Sequence, residues 1–138
     1  MVLEGKIVRD GRYWLVEVTA LDVMTQGVSY KDALKMIREA VDLLVDKKGF
    51  DLVVHSFDRE SFYIESDDEE ALLALMLKRQ RVKHHLTLSD MARKLGVKSK
   101  NAYAQYEQGR SQPSLTKVQE FLSAMSRKTV LALNVIEG

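Results

Sequence analysis

Residues 86–125 read LTLSDMARKLGVKSKNAYAQYEQGRSQPSLTKVQEFLSAM, and the glycines at 96 and 109 cut this run into short helices joined by tight turns. Thr87 and Ser89 can cap a first helix whose apolar residues Leu88, Met91, Ala92 and Leu95 recur at the i, i+3, i+4, i+7 spacing of one buried face. Gly96 stops it, because a residue without Cβ can take the left-handed conformation that closes a helix, and Val97 can then turn back over the apolar face. Ser99 is a suitable N-cap for a second helix running to about Gln108, with Ala102, Tyr103 and Tyr106 inward and Lys100, Asn101, Ala104 and Gln105 outward. Gly109 closes that helix. Pro113 and Ser114 open a third, with Leu115, Val118, Phe121, Leu122 and Met125 as its buried stripe.

The outward residues of the second helix have the chemistry of base readout. Asn and Gln can each exchange two hydrogen bonds with an adenine edge, and Lys can reach guanine acceptors or a phosphate. A solvated helix face would also be polar, but the whole run is more specific than that. It has short turns, a middle turn built on Gly-Val, and Tyr-Glu-Gln-Gly-Arg ahead of Pro-Ser. On these residues the stretch 70–126 resembles the Xre or lambda-repressor-like DNA-binding family, which implies a helix-turn-helix. The expected base contacts are Lys100, Asn101 and Gln105; the expected phosphate contacts are Thr87, Ser89, Lys98, Arg110 and Lys117. Two departures stand out: Leu88 replaces a phosphate-binding Gln common in that family, and the turn at 96–100 is one residue longer than usual.

A chain of 138 residues can form one domain or two small ones, and the charge distribution favours two. The net charge of +1 conceals opposed halves. Residues 1–77 carry 9 Lys and Arg against 16 Asp and Glu, a balance of −7, whereas residues 78–138 carry 12 against 4, a balance of +8. A basic half with a helix-turn-helix is the electrostatic footprint of a DNA binder; an acidic half suits a basic protein or a second copy of the chain. The absence of Cys excludes disulfides and thiolate metal sites and agrees with a reducing cytoplasm. No apolar run approaches the ~20 residues of a membrane span, and MVLEGKIVRDGRYW lacks the apolar core of a secretion signal. A soluble, cytoplasmic protein without membrane contact is expected.

In the acidic half, residues 3–9 and 12–18 alternate around Asp10-Gly11, a strong hairpin signal. Tyr13, Leu15 and Glu17 share one face and Trp14, Val16 and Val18 the other, and alternation alone does not say which is the core. A short third strand falls around 23–25 and ends at Gly27. The spacing then predicts a helix over 29–47, opened by Ser29 with Asp32, with Ala33, Ile37, Ala40, Val41, Leu44 and Val45 buried. Gly49 stops it, and strands follow at 52–57 and 61–65. The expected fold class is α+β: a small mixed sheet with one packed helix, then an all-α helix-turn-helix domain and a C-terminal strand. This order, with GKIVRDGRYWLVEV, MTQG and SYKDALKMIREAVDLLVD, resembles the HicB antitoxin family, whose N-terminal domain looks like a truncated RNase H fold. The prolines usual there after the second strand are replaced by Ala20-Leu21-Asp22. The resemblance implies a small, basic, mRNA-cleaving HicA-like toxin as partner.

Asp67-Asp68-Glu69-Glu70 reads as helix capping rather than a metal site. The helix that follows, 72–84, is expected to bury Leu72, Leu73, Leu75, Met76 and Val82, to expose Lys78, Arg79, Arg81 and Lys83, and to couple the two halves semi-rigidly. His84 and His85 are adjacent and cannot chelate one ion as an i, i+4 pair would, so they and His55 are expected in solvent or near phosphate. TVLALNVI, near the C-terminus, is apolar on both sides and needs cover on both. It is expected to pair with its copy in a second subunit or to fold back on the N-terminal sheet. The expected domains are thus 1–66, 67–127 and the strand 128–138.

Together these readings predict an antitoxin that neutralises a HicA-like toxin and represses its own operon by binding operator DNA, assembled from two or four copies. The alternative is a helix-turn-helix regulator whose N-terminal domain senses a small molecule or only oligomerises. Catalysis is not expected. Asp10, Glu17, Asp22 and Asp51 are scattered over a turn and strand ends, and neither a cofactor nor a metal is implied.

Overall fold

The Asp10-Gly11 turn forms with Gly11 at φ 62°. It joins β1 (Leu3–Asp10) to β2 (Tyr13–Val18) in an antiparallel hairpin that sets Ile7 opposite Val16 and Val8 opposite Leu15. A computed structural model describes residues 1–137 of the chain. Its register settles which face of β2 is core: Val16 and Val18 are fully buried and Trp14 half-buried, whereas Tyr13 is exposed. After a 3-10 turn at Thr19–Leu21, β3 (Val23–Gly27) pairs with β2. Later in the chain β4 (Val53–Ser56) pairs with β5 (Ser61–Glu65), which pairs in turn with β1. The strand order is β3-β2-β1-β5-β4.

The α+β class is as expected, but every ladder is antiparallel, not mixed. β3 and β4 run in the same direction on either side of a helix, yet they occupy opposite edges of the sheet and never meet. That helix, α1 (Tyr30–Val45), starts at Ser29, whose hydroxyl accepts the Asp32 N–H at 3.0 Å, while the Asp32 carboxylate accepts the Val28 N–H at 2.9 Å. Ala33, Ile37 and Val41 form its buried stripe, and Leu44 is exposed. Gly27 is dictated by this packing: a Cβ there would lie 2.3 Å from the Ala33 nitrogen, so only glycine lets the end of β3 touch α1.

α2 (Glu69–Lys83) is capped by Asp68, whose carboxylate accepts the Ala71 N–H at 3.1 Å and also binds Lys47 beyond the end of α1. The acidic run at 67–70 thus acts as a helix start. The contact with Lys47 holds the Asp68 carboxyl below its ordinary value, helped by the Ala71 bond against the opposing effect of burial. α2 is buried over most of its circumference, with Leu72, Ala74, Leu75, Met76, Leu77 and Gln80 inside. It shares one continuous core with the sheet and with the helices that follow. Val82, expected inward, is exposed.

Two side chains of α2 close the joint. Gln80 donates through Nε2 to the Ala20 carbonyl at 2.9 Å and the Thr19 carbonyl at 3.3 Å. Arg79 donates to the Leu21 carbonyl at 3.0 Å and the Asp22 carbonyl at 2.6 Å. The Thr19 carbonyl already accepts the Asp22 N–H at 3.0 Å, whereas the carbonyls at the end of a helical turn lack such a partner, and α2 supplies their donors.

The chain continues through α3 (Leu88–Leu95), α4 (Asn101–Glu107) and α5 (Leu115–Met125). Among the described residues, 128–137 form no strand, contrary to expectation, and they do not join the N-terminal sheet. A strand needs a backbone partner. Within one chain this tail instead lies on α5, where the Leu131 N–H donates to Gln119 Oε1 at 2.7 Å, leaving Val130, Leu133, Val135 and Ile136 exposed. Gly138, the last residue of the expected strand, lies outside the described residues.

Candidate nucleic-acid interface

α3 starts with a reciprocal cap. The Thr87 hydroxyl accepts the Asp90 N–H at 3.0 Å and the Asp90 carboxylate accepts the Thr87 N–H at 2.8 Å. This arrangement satisfies two donors that the helix itself leaves unpaired. It also holds the Asp90 carboxyl below its ordinary value, first through the Thr87 N–H and then through the Thr87 hydroxyl. Gly96 ends the helix at φ 72°, and the Val97 N–H returns to the Ala92 carbonyl at 3.0 Å. The expected glycine stop is present.

The longer turn then delays α4. Ser99, expected as N-cap, accepts the Asn101 N–H through its hydroxyl at 3.2 Å, but the capping position itself belongs to Lys100. The inward face is rotated from the expected one: Tyr103 and Ala104 are buried and Ala102 is exposed. Asn101 and Ala102 are therefore exposed on the outer side of α4, with the half-buried Gln105 one turn on and the exposed C-cap Gln108 beyond it. Asn101 and Gln105 keep the outward positions foreseen for them, whereas Ala104 does not.

α4 is pinned to α2 by a buried ion pair that the sequence reading missed. Arg81, expected outward, is only 13% exposed, and Glu107 only 6%. The guanidinium donates to both Glu107 oxygens, at 2.7 and 3.0 Å, and to the Leu86 carbonyl at 2.7 Å. The bond to Glu107 raises the Arg81 pKa further, so the guanidinium stays charged at any ordinary pH. Beside it Tyr103 packs edge-on against Phe121 with ring centroids 5.0 Å apart. Its hydroxyl is buried with no hydrogen-bond partner among the described residues. Burial, reinforced by Glu107, pushes that phenol far above its usual value. Tyr106 also packs on Phe121, at 5.0 Å.

The remaining candidates are dispersed around this helix pair. Ser89 and Thr87 are exposed at the start of α3, where a helix N-terminus favours a phosphate. Lys98 and Lys100 are exposed in the turn between α3 and α4, and Arg110 is exposed just after Gly109. Lys117, also exposed, sits near the start of α5 with its ammonium 6.0 Å from the Tyr106 ring centroid. His85 is exposed at φ 57° where α2 turns toward α3, His84 donates through Nδ1 to the Gln80 carbonyl at 2.8 Å, and His55 lies on β4 beside Glu65 at 2.5 Å. The carboxylates considered for catalysis stay apart: Asp10 ends β1, Glu17 lies within β2, Asp22 follows the 3-10 turn and Asp51 pairs with Arg38. Among the described residues no group of three or more His, Asp or Glu is placed to hold a metal ion.

The geometry from α2 to α5 is that of a helix-turn-helix: α3 and α4 meet across a glycine turn, with α2 and α5 packed behind them. Residues 77–130 match the helix-turn-helix family model, and the match begins inside α2. The match is to an Xre or lambda-repressor-like helix-turn-helix, which supports a DNA-binding transcriptional regulator. No curated protein matches the chain. Among the described residues no helix is long and apolar enough to cross a membrane.

The buried pair and its orphaned neighbour call for opposite responses to mutation. Glu107→Ala leaves Arg81 charged and unpaired, and is expected to cost about 3–5 kcal/mol in urea unfolding. Tyr103→Phe removes a buried hydroxyl with no hydrogen-bond partner among the described residues, and should be neutral or stabilising by about 1 kcal/mol.

Proposed function

We propose that the chain is an antitoxin that also represses its own operon: the basic helix-turn-helix binds operator DNA, and the acidic N-terminal domain neutralises a small, basic, mRNA-cleaving HicA-like toxin. The observation that carries the reading is the charge division. The half bearing α4 has a balance of +8 and the half bearing the sheet −7. A basic surface is attracted to phosphate, and its affinity falls with salt as counterions are released. An acidic surface is repelled by DNA and suits a basic protein. The N-terminal element order and the motifs quoted above support a HicB-like domain.

In this reading Lys100, Asn101 and Gln105 reach base edges and Thr87, Ser89, Lys98, Arg110 and Lys117 reach phosphates. Asn101→Ala is expected to cost about 1–3 kcal/mol at the specific site and to relax sequence preference, whereas Arg110→Ala weakens binding to every duplex alike. Fluorescence anisotropy with DNA from upstream of the gene and with a scrambled duplex separates the two patterns. Unchanged operator binding in both Asn101→Ala and Gln105→Ala would place the recognition surface elsewhere.

The toxin is tested by co-expression with the neighbouring short reading frame. A small basic product that co-purifies with the full chain, and whose RNA cleavage the chain suppresses, is the expected outcome. A neighbour that neither binds nor cleaves RNA would favour the second reading, a regulator whose N-terminal domain senses a small molecule or only oligomerises.

The exposed tail carries the assembly part of the proposal. Val135 is 94% exposed and Leu133 67% in the isolated chain. Pairing with the tail of a second copy would cover them and would set two α4 helices on a two-fold axis, to read half-sites about 34–36 Å apart. Sedimentation should show a dimer or tetramer for the full chain and a monomer after truncation at residue 129. Retention of the larger species would exclude the tail from assembly.

A further inference from the structure

We propose that Ser111 and the Ala102 carbonyl together lock the Gln105 side-chain amide in one orientation, so that this position of α4 accepts adenine and rejects guanine. The inference rests on the reading of α4 as the helix that enters the major groove, and it adds a positioning residue that lies outside that helix.

The geometry is local. Gly109, at φ 70°, turns the chain back after α4, and the Arg110 N–H returns to the Gln105 carbonyl at 3.0 Å. That turn brings Ser111 over the side of the helix, where its hydroxyl donates to Gln105 Oε1 at 3.1 Å. The other end of the same amide, Nε2, donates to the Ala102 carbonyl at 3.2 Å. The assignment of the two amide ends follows from chemistry. A backbone carbonyl can only accept, so the nitrogen must face Ala102, and the oxygen is then the atom presented to the Ser111 hydroxyl. Both Gln105 and Ser111 are half-buried, unlike the exposed Asn101 one turn earlier.

Once these bonds are made, Gln105 has one N–H and one oxygen lone pair still to offer. Adenine shows the complement in the major groove, the N7 acceptor beside the N6 amino donor. Guanine shows two acceptors, N7 and O6, so one of them would face Oε1. An unconstrained glutamine escapes that clash by turning its amide to present both nitrogen hydrogens. Here Ala102 has taken one hydrogen and Ser111 holds the oxygen, and the turn would break both bonds. Removing the hydroxyl frees the oxygen end.

The test is selection of bound duplexes from a randomised DNA library by the full-length wild-type chain and by Gln105→Ala, Ser111→Ala and Ser111→Thr. Loss of preference in Gln105→Ala identifies the position read by Gln105, which should be adenine in the wild type. Ser111→Ala is expected to lower the adenine-to-guanine ratio at that position by about tenfold, the scale of one bidentate base contact, with preferences elsewhere retained. Ser111→Thr keeps a hydroxyl and should restore the ratio. An unchanged ratio in Ser111→Ala, a wild-type preference other than adenine, or an even loss across all positions would each overturn the proposal. A wild-type selection that enriches no sequence would overturn the DNA reading beneath it, an outcome distinct from those three.

Discussion

Taking a carboxylate and a guanidinium out of water is costly, and their mutual attraction offsets that cost only when the geometry is good and the remaining donors are satisfied. Arg81 and Glu107 meet both conditions, through two parallel bonds between them and a third from Arg81 to the Leu86 carbonyl. The pair joins α2 to the end of α4, and the Leu86 contact fixes the chain just before α3. α4 has only 7 residues, too few to be stable as an isolated helix. Its position is set by this pair and by Tyr103 against Phe121, so the direction of Asn101 and Gln105 depends on groups that touch no DNA.

The same helix serves the other half of the molecule. Two residues before Arg81, Arg79 begins the set of bonds from α2 to the carbonyls of the 3-10 turn that precedes β3. Leu72, Leu75 and Met76 belong to the core that also contains Phe62 and Ile64 of β5. α2 is thus a structural part of the acidic half as well as the first helix of the basic one. A partner bound to the sheet domain would act on a body that shares its core with the support of α4, which gives the proposed antitoxin a physical route between its two binding surfaces.

Much of this was legible in the sequence because it is written in local chemistry. Asp10-Gly11, Ser29 with Asp32, Thr87, Gly96 and Ser114 each act where their side-chain or backbone preferences place them. What was not legible depends on partners distant in the chain. Arg79 and Arg81 carry the same charge as the exposed Lys78 and Lys83, and only the packed structure shows which cations face carbonyls and a buried carboxylate. Ala102 and Ala104 were exchanged because a methyl group suits either face of a helix. That the sheet is antiparallel throughout was not legible, because a strand order, unlike a strand, leaves no local mark. The apolar tail is apolar on both sides, as a buried strand would be, but pairing requires a second backbone that one chain does not offer.

The central claim is that the basic half reads a particular DNA sequence through α4. The most direct measurement is the affinity of the full chain for DNA from upstream of its own gene and for a scrambled duplex of equal length, each titrated over a range of salt concentrations. Both affinities are expected to fall steeply with salt, as released counterions require, and the upstream duplex to be bound at least about 10³-fold more tightly at physiological ionic strength. Equal affinity for the two duplexes, or binding that ignores salt, would contradict the claim.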